Sequence, residues 1–171
     1  MDFEQTRQDY RPQKVTALFV GESPPASEKF FYLGNSNLAR FTFKAFRGRR
    51  PESDAEMLGF LRDFQARGFY LVDLCLEPVN GLKRPARHAA RRRGIEGLAA
   101  TIARVRPRSL VVVMKGIKPE VVRAVEIASD PGLSVHVLPF PASGHQVEYV
   151  EELRALLPAL SSCARSEVTG A

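Results

Sequence analysis

VTALFVGESPP, residues 15–25, is a β-branched and apolar run that breaks at glycine into an acid, a serine and two prolines. Val15 to Gly21 reads as a strand buried on both faces. Gly21 lets the chain leave the sheet sharply, while Pro24 and Pro25 fix two φ angles and disfavour a helix directly after it. Glu22 and Ser23 are thereby presented on a stiff support at the sheet edge. Three further runs of the same kind follow: Phe69 to Cys75, Ser109 to Met114 and Leu133 to Leu138.

Helical patterns lie between these runs. Glu56 to Gln65 follows a Ser53 or Asp54 cap, with Met57, Leu58, Leu61 and Phe64 on one face. Ile95, Leu98, Ile102 and Val105 mark a second stripe, Pro119 suits a first turn before Val121, Val122 and Val125, and a closing helix from Val147 ends near Pro158. Strands alternating with helices predict an α/β fold, a three-layer α/β/α sandwich around a mainly parallel four-stranded sheet. The binding site of such a sheet lies beyond the carboxyl ends of its strands. Four segments should converge there: GESPP, the region after Asp73, Lys115-Gly116, and Pro139 to Gln146.

A chain of 171 residues with 44% apolar composition suits one domain over 1–171. Its core is expected over about 14–160, with flexible tails at 1–13 and 161–171. No stretch approaches the roughly 18 continuous apolar residues of a membrane span, so a soluble, cytoplasmic protein without membrane contact is expected. Two cysteines, Cys75 and Cys163, are too few for a four-cysteine metal or iron–sulfur site and read as buried or idle thiols, and no cofactor is called for. The 25 Lys and Arg exceed the 19 Asp and Glu by six. The excess is concentrated in KRPARHAARRR, residues 83–93, which carries six cations and no acid. Read as a loop, this run suits phosphate neutralisation through Lys83, Arg84, Arg87, Arg91, Arg92 and Arg93, or else is a solvated surface.

Phe30, Phe31 and Tyr32 follow the proline turn. Three aromatics are more than one short loop needs as core, and a ring beside a polar pocket is what base stacking requires, although at least one of the three is expected to be a buried packing residue. In GNSN, Gly34 can turn the chain and Asn35, Ser36 or Asn37 can cap a helix over Leu38 to Phe46, whose free N–H groups suit phosphate. In LPFPASGHQ, Ser143 and the loop amides can hold a phosphate and His145 can approach a sugar or phosphate oxygen. Equally, Ser143 can be an ordinary helix cap and His145 a surface residue. Lys115 and Asn35 are further candidates.

Together, the GESPP turn, the aromatic and small-polar stretch ten residues later, the strand ending VDLC and the late proline-rich loop with S-x-H resemble the uracil-DNA glycosylase superfamily. The similarity is greatest to its compact bacterial branches and runs from Val15 to about Leu157 through short motifs. By that resemblance the fold is a three-layer sandwich with four parallel strands. The substrate would be a nucleotide flipped from single- or double-stranded DNA, and a monomer would cleave its N-glycosidic bond with water.

Carried over by position, Glu22 and Ser23 fall in the water-activating motif, and Phe31 or Tyr32 where the family stacks an aromatic on the base. Asp73 falls where many members have an Asn that pairs with the base edge, and LPFPASGHQ falls on the loop that clamps DNA. His145 or His88 would have to supply the catalytic histidine, because Leu138 stands where the fourth motif begins. The expected function is DNA repair by a base-releasing glycosylase. Its rivals are a noncatalytic nucleic-acid-binding module on the same fold and a hydrolase or transferase of free nucleosides or nucleotides.

Overall fold

A computed structural model describes residues 2–130 and 132–162, with Ser162 as backbone only. Cys163 and the rest of the expected C-terminal tail lie outside the described residues. The four expected strands form at β1 (Ala17–Gly21), β2 (Phe69–Asp73), β3 (Ser109–Val112) and β4 (Ser134–Val137). All pair in parallel, in the order β2-β1-β3-β4. β1 and β3 are the central strands and are wholly buried, as their unbroken apolar runs require. β4 departs from the expectation of burial on both faces: it is an edge strand, with Ser134 and Val135 exposed.

Six α-helices surround the sheet among the described residues, with one 3₁₀ turn apart from them at Phe31–Leu33 and another at Lys115–Ile117. They are α1 (Phe3–Asp9), α2 (Asn37–Arg47), α3 (Asp54–Ala66), α4 (Arg84–Val105), α5 (Lys118–Ala128) and α6 (Gln146–Ser162), with the 3₁₀ turn before α5 continuous with it. The chain moves from β1 to β2 in one direction and from β2 over β1 to β3 and on to β4 in the other. Right-handed crossovers therefore place α2 and α3 on one face and α4 and α5 on the opposite one. The packing agrees: α4 lies against α5, and α2 against α6. The result is a three-layer α/β/α arrangement. No helix among the described residues is long and apolar enough to cross a membrane.

Four local expectations change. Residues 3–9 are not a frayed tail but a helix capped by Asp2, whose carboxylate accepts from Glu4 N and Gln5 N at 3.0 and 3.1 Å. It is docked by Phe3 on Phe30, by Tyr10 stacked on Tyr32, and by buried Arg7. The basic run is not a loop: α4 begins at Arg84, and its 22 residues absorb all of it but Lys83. Pro85 in the first turn, followed by good helix formers, accounts for that start. On α3 the buried stripe is Met57, Phe60, Leu61 and Phe64, while Leu58 is exposed. α6 continues through Pro158 to Ser162, forgoing one backbone bond, with Leu160 buried in its last turns.

Tyr32 is a core residue rather than a stacking platform. Its hydroxyl accepts from Leu71 N at 2.6 Å and donates to Leu71 O at 3.1 Å, so it satisfies polar groups on the open side of edge strand β2. Burial pushes its phenol well above the ordinary value.

Close backbone approach sets the position of α4. A Cβ on Gly94 would lie 2.0 Å from Leu74 O, so the helix rests on the segment that leaves β2 only because residue 94 has no side chain. Gly94→Ala is therefore expected to lower the melting temperature, by about 1–3 kcal/mol of stability or more. The exposed Gly97→Ala, with open space around it, should be neutral or stabilising by about 0.5–1 kcal/mol in the same thermal denaturation.

Candidate functional site

In the order β2-β1-β3-β4 the connections diverge between β1 and β3, which makes the crevice at their carboxyl ends the topological switch point. A cavity of about 220 Å³ opens there. It takes Gly21, Glu22 and Ser23 from the end of β1, Asp73 from β2, Met114 from beyond β3 and Phe140 from beyond β4. Phe30, Phe31, Lys29, Asn80, Arg87 and the start of α2 at Ser36 and Leu38 complete its wall. A larger cavity of about 820 Å³ lies between α1, α4 and the end of β2, and Asp73 lines both. Only the smaller one draws on all four strand ends.

Glu22 is placed by backbone pairing that continues past the strands: Leu74 N donates to Gly21 O at 2.9 Å and Cys75 N to Glu22 O at 2.8 Å. Its side chain is buried and meets α4. Arg87 and Arg91, one helical turn apart on the same face, both turn to it. Arg87 Nε donates to Glu22 Oε1 at 2.6 Å and Arg87 Nη2 donates to Oε2. Arg91 Nε donates to Oε1 at 2.7 Å, and Arg91 Nη1 donates to Gly116 O at 2.9 Å. Burial works against the charged form of Glu22, but the hydrogen bonds and charges of Arg87 and Arg91 outweigh it and hold the carboxyl below its ordinary value. Two guanidiniums against one carboxylate leave one positive charge over, at a helix start that has no acid in its first turn.

Asp73 sits beside Gly21 in register. A Cβ on residue 21 would lie 2.7 Å from Asp73 Oδ1, so the glycine makes room for the close approach of that carboxylate. Arg7 Nη2 donates to Asp73 Oδ2 at 2.6 Å, and Arg7 also bonds Glu4. Burial pushes the Asp73 carboxyl up to about 6, against the opposing pull of Arg7. Ser23 accepts weakly from Val79 N at 3.4 Å. Phe31 lines the cavity although it is almost wholly buried against Tyr32 and Phe64.

The remaining candidates lie elsewhere. Asn35 is a staple: its side chain accepts from Phe30 N at 2.8 Å and donates to Glu28 O at 3.0 Å, fixing the loop that carries Phe31. Lys115 Nζ and His145 Nδ1 both meet Glu148, at 2.7 and 2.9 Å, on an exposed surface and not in the cavity. Ser143 is exposed in a turn with a positive φ of 52°, and His88 is half-buried on α4; neither lines either cavity. Lys83, Arg84 and Arg92 are exposed, and Arg93 lines the larger cavity. Of the six cations read as phosphate ligands, Arg87 and Arg91 are thus committed to Glu22.

No protein-family model matches the chain, and no curated protein matches it in sequence.

Phe140, Asn80 and Met114 are cavity residues that the sequence reading did not single out. For Phe140 a signal exists, an aromatic held between Pro139 and Pro141 in a loop beyond the last strand; it is 39% exposed, so one side of the ring is open. The Glu22–Arg87–Arg91 and Arg7–Asp73 contacts bridge 65, 69 and 66 positions, and no local pattern marks them.

Removing Arg7 tests the buried pair. Asp73 has a folded value above its ordinary 3.8, so its ionisation already costs stability as pH rises through about 6. Without Arg7 that cost grows. Arg7→Met is expected to destabilise by about 3 kcal/mol near neutral pH, and by clearly less at pH values below the Asp73 titration, where the carboxyl is protonated. Urea denaturation at both pH values measures the difference.

Proposed function

We propose that the protein is a uracil-DNA glycosylase-like DNA-repair protein that receives one extruded base in the cavity at Glu22, Phe31 and Asp73 and hydrolyses its N-glycosidic bond. The observation that carries this reading is convergence. Those three residues come from motifs as much as 51 positions apart, each a candidate for handling a base in the sequence, and all three line one cavity at the strand ends. Four parallel strands between helical layers support it at the level of the fold. So does size: about 220 Å³ lies below the roughly 300–1,000 Å³ of drug-sized ligand sites and suits a ligand as small as one base.

The chemistry available fits this assignment. Phe31 and Phe140 offer ring surface to a base. Asp73, ionised, accepts from a ring N–H or an exocyclic amine, and below about 6 it can instead donate to a ring carbonyl. A carboxylate has about four acceptor sites. Glu22 uses two on Oε1 and one on Oε2, which leaves one on Oε2 to orient a water.

A second reading, binding of an extruded base without cleavage, is favoured by that same engagement of Glu22, because a carboxylate held by two guanidiniums is a weak base. One experiment separates them. The protein is incubated with labelled oligonucleotides containing uracil, hypoxanthine, xanthine or only normal bases, single- and double-stranded, followed by alkali and a denaturing gel. Breaks at one modified base, reduced by about a hundredfold or more in Glu22→Gln with affinity retained, are the expected result. Binding with no breaks on any oligonucleotide would replace hydrolysis by the second reading.

A further inference from the structure

Arg87 differs from the other cations of the basic run. It is the only one of the six that lines the smaller cavity, and its side chain is 30% exposed, whereas that of Arg91 is 9% exposed. Its bonds to Glu22 use Nε and Nη2, one on each carboxylate oxygen. This two-point grip fixes the plane of the guanidinium and leaves both protons of Nη1 outside the pair. Arg91 completes the support from below: it shares Oε1 of Glu22 and is tied to Gly116 O. The cluster keeps one positive charge over, next to a cavity walled by Phe31, Phe140, Met114 and Leu38. A cation held rigidly beside apolar walls is suited to a negative charge that water solvates poorly there.

The base-binding reading, on which this inference rests, supplies such a charge. Breaking the C1′–N bond sends its electron pair out with the base, which leaves as an anion with its charge shared between the ring nitrogen and a carbonyl oxygen. The water oxygen bonds to C1′, and the proton it sheds goes to solvent. Neither His145 nor His88 lines the cavity to meet the anion. We propose that Arg87 is the anion-receiving residue of this cavity, taking the carbonyl oxygen of an oxo-base in its anionic form, and that Glu22 positions it. The ligand class is accordingly a base with an acidic ring N–H next to a carbonyl, as in uracil, hypoxanthine or xanthine, rather than adenine or cytosine.

The test uses free 5-fluorouracil, whose ring N–H is more acidic than that of uracil and whose fluorine reports binding by NMR. Wild type, Arg87→Gln and Arg87→Lys are titrated across pH. Arg87→Gln keeps a hydrogen-bond donor for Glu22 without the charge, and Arg87→Ala replaces it if that variant does not melt cooperatively. The ionisable groups around Arg87 are Glu22, Arg91, Lys29, Asp73 and Cys75, with Lys83, Arg84 and His88 beside it along the chain at the start of α4. Measurements are kept above the Asp73 titration at about 6 and below that of the Cys75 thiol, which burial pushes up to about 11.

Affinity of the wild type is expected to rise by about tenfold as the base ionises. The rise should be absent in Arg87→Gln and partly kept in Arg87→Lys. Where oligonucleotides are cleaved, Arg87→Gln should lose roughly a hundredfold in single-turnover rate on uracil and less on 5-fluorouracil, whose anion needs less help. An equal rise in Arg87→Gln, a pH-independent affinity, equal losses on the two bases, or no binding of the base by wild type at any pH would each overturn the assignment. An Arg87-dependent rise in a protein that cleaves nothing would instead sink the hydrolytic reading and leave Arg87 as the anion site.

Discussion

Glu22 is a buried carboxylate at the end of a central strand, and two arginines from a helix on one face of the sheet are spent on it. Removing an ion of this kind from water costs several kcal/mol, which is recovered only when its partners are close and correctly oriented. That requirement reaches far into the fold. α4 must lie near enough for Arg87 and Arg91 to touch the end of β1, and it can do so because Gly94 lets it rest on the Leu74 carbonyl. Gly116, in the 3₁₀ turn beyond β3, supplies the carbonyl that steadies Arg91. One ion cluster thus ties together β1, α4 and the segment after β3, which are the parts that form one side of the candidate site.

The other side depends on a second buried charge. Asp73 ends β2, borders both cavities, and is answered by Arg7 from the N-terminal helix. The two carboxylates are treated differently. Two guanidiniums keep Glu22 ionised, whereas one is not enough to offset the burial of Asp73, whose carboxyl is pushed up to about 6. Two acids of opposite tendency in one small cavity let one stay a fixed charge while the other changes between acceptor and donor near neutrality. α1 is consequently part of the site's wiring through Arg7.

The strands, their parallel sense and the place where the loops converge were legible in the sequence because burial on both faces writes unbroken apolar runs, as in FYLVD and SLVV. The turn after β1 was legible because glycine and proline act locally. What escaped was either non-local or written in small residues. Ala86, Ala89 and Ala90 make no large apolar stripe, so the first turns of α4 looked like a charged loop, although Pro85 marked the start of a helix. Phe30, Phe31 and Tyr32 carry no local sign of which of them packs in the core, and all three are buried. Tyr32 is needed by Leu71 on the open edge of β2, a demand visible only once strand order is known. The partners of Glu22 and Asp73 were hidden for the same reason, since charge pairs across more than 60 positions leave no periodic trace.

The mutual hold of Glu22 and Arg87, on which one side of the site depends, is tested most directly by a double-mutant cycle, with Glu22→Gln, Arg87→Met and the pair compared by urea denaturation at neutral pH. A coupling of about 1.5 kcal/mol or more is the result this account requires, as for hydrogen bonds between charged groups that are largely out of water. Additive effects, with no coupling beyond the few tenths of a kcal/mol seen for independent sites, would mean that Glu22 and Arg87 do not hold each other and that the site is organised by something else.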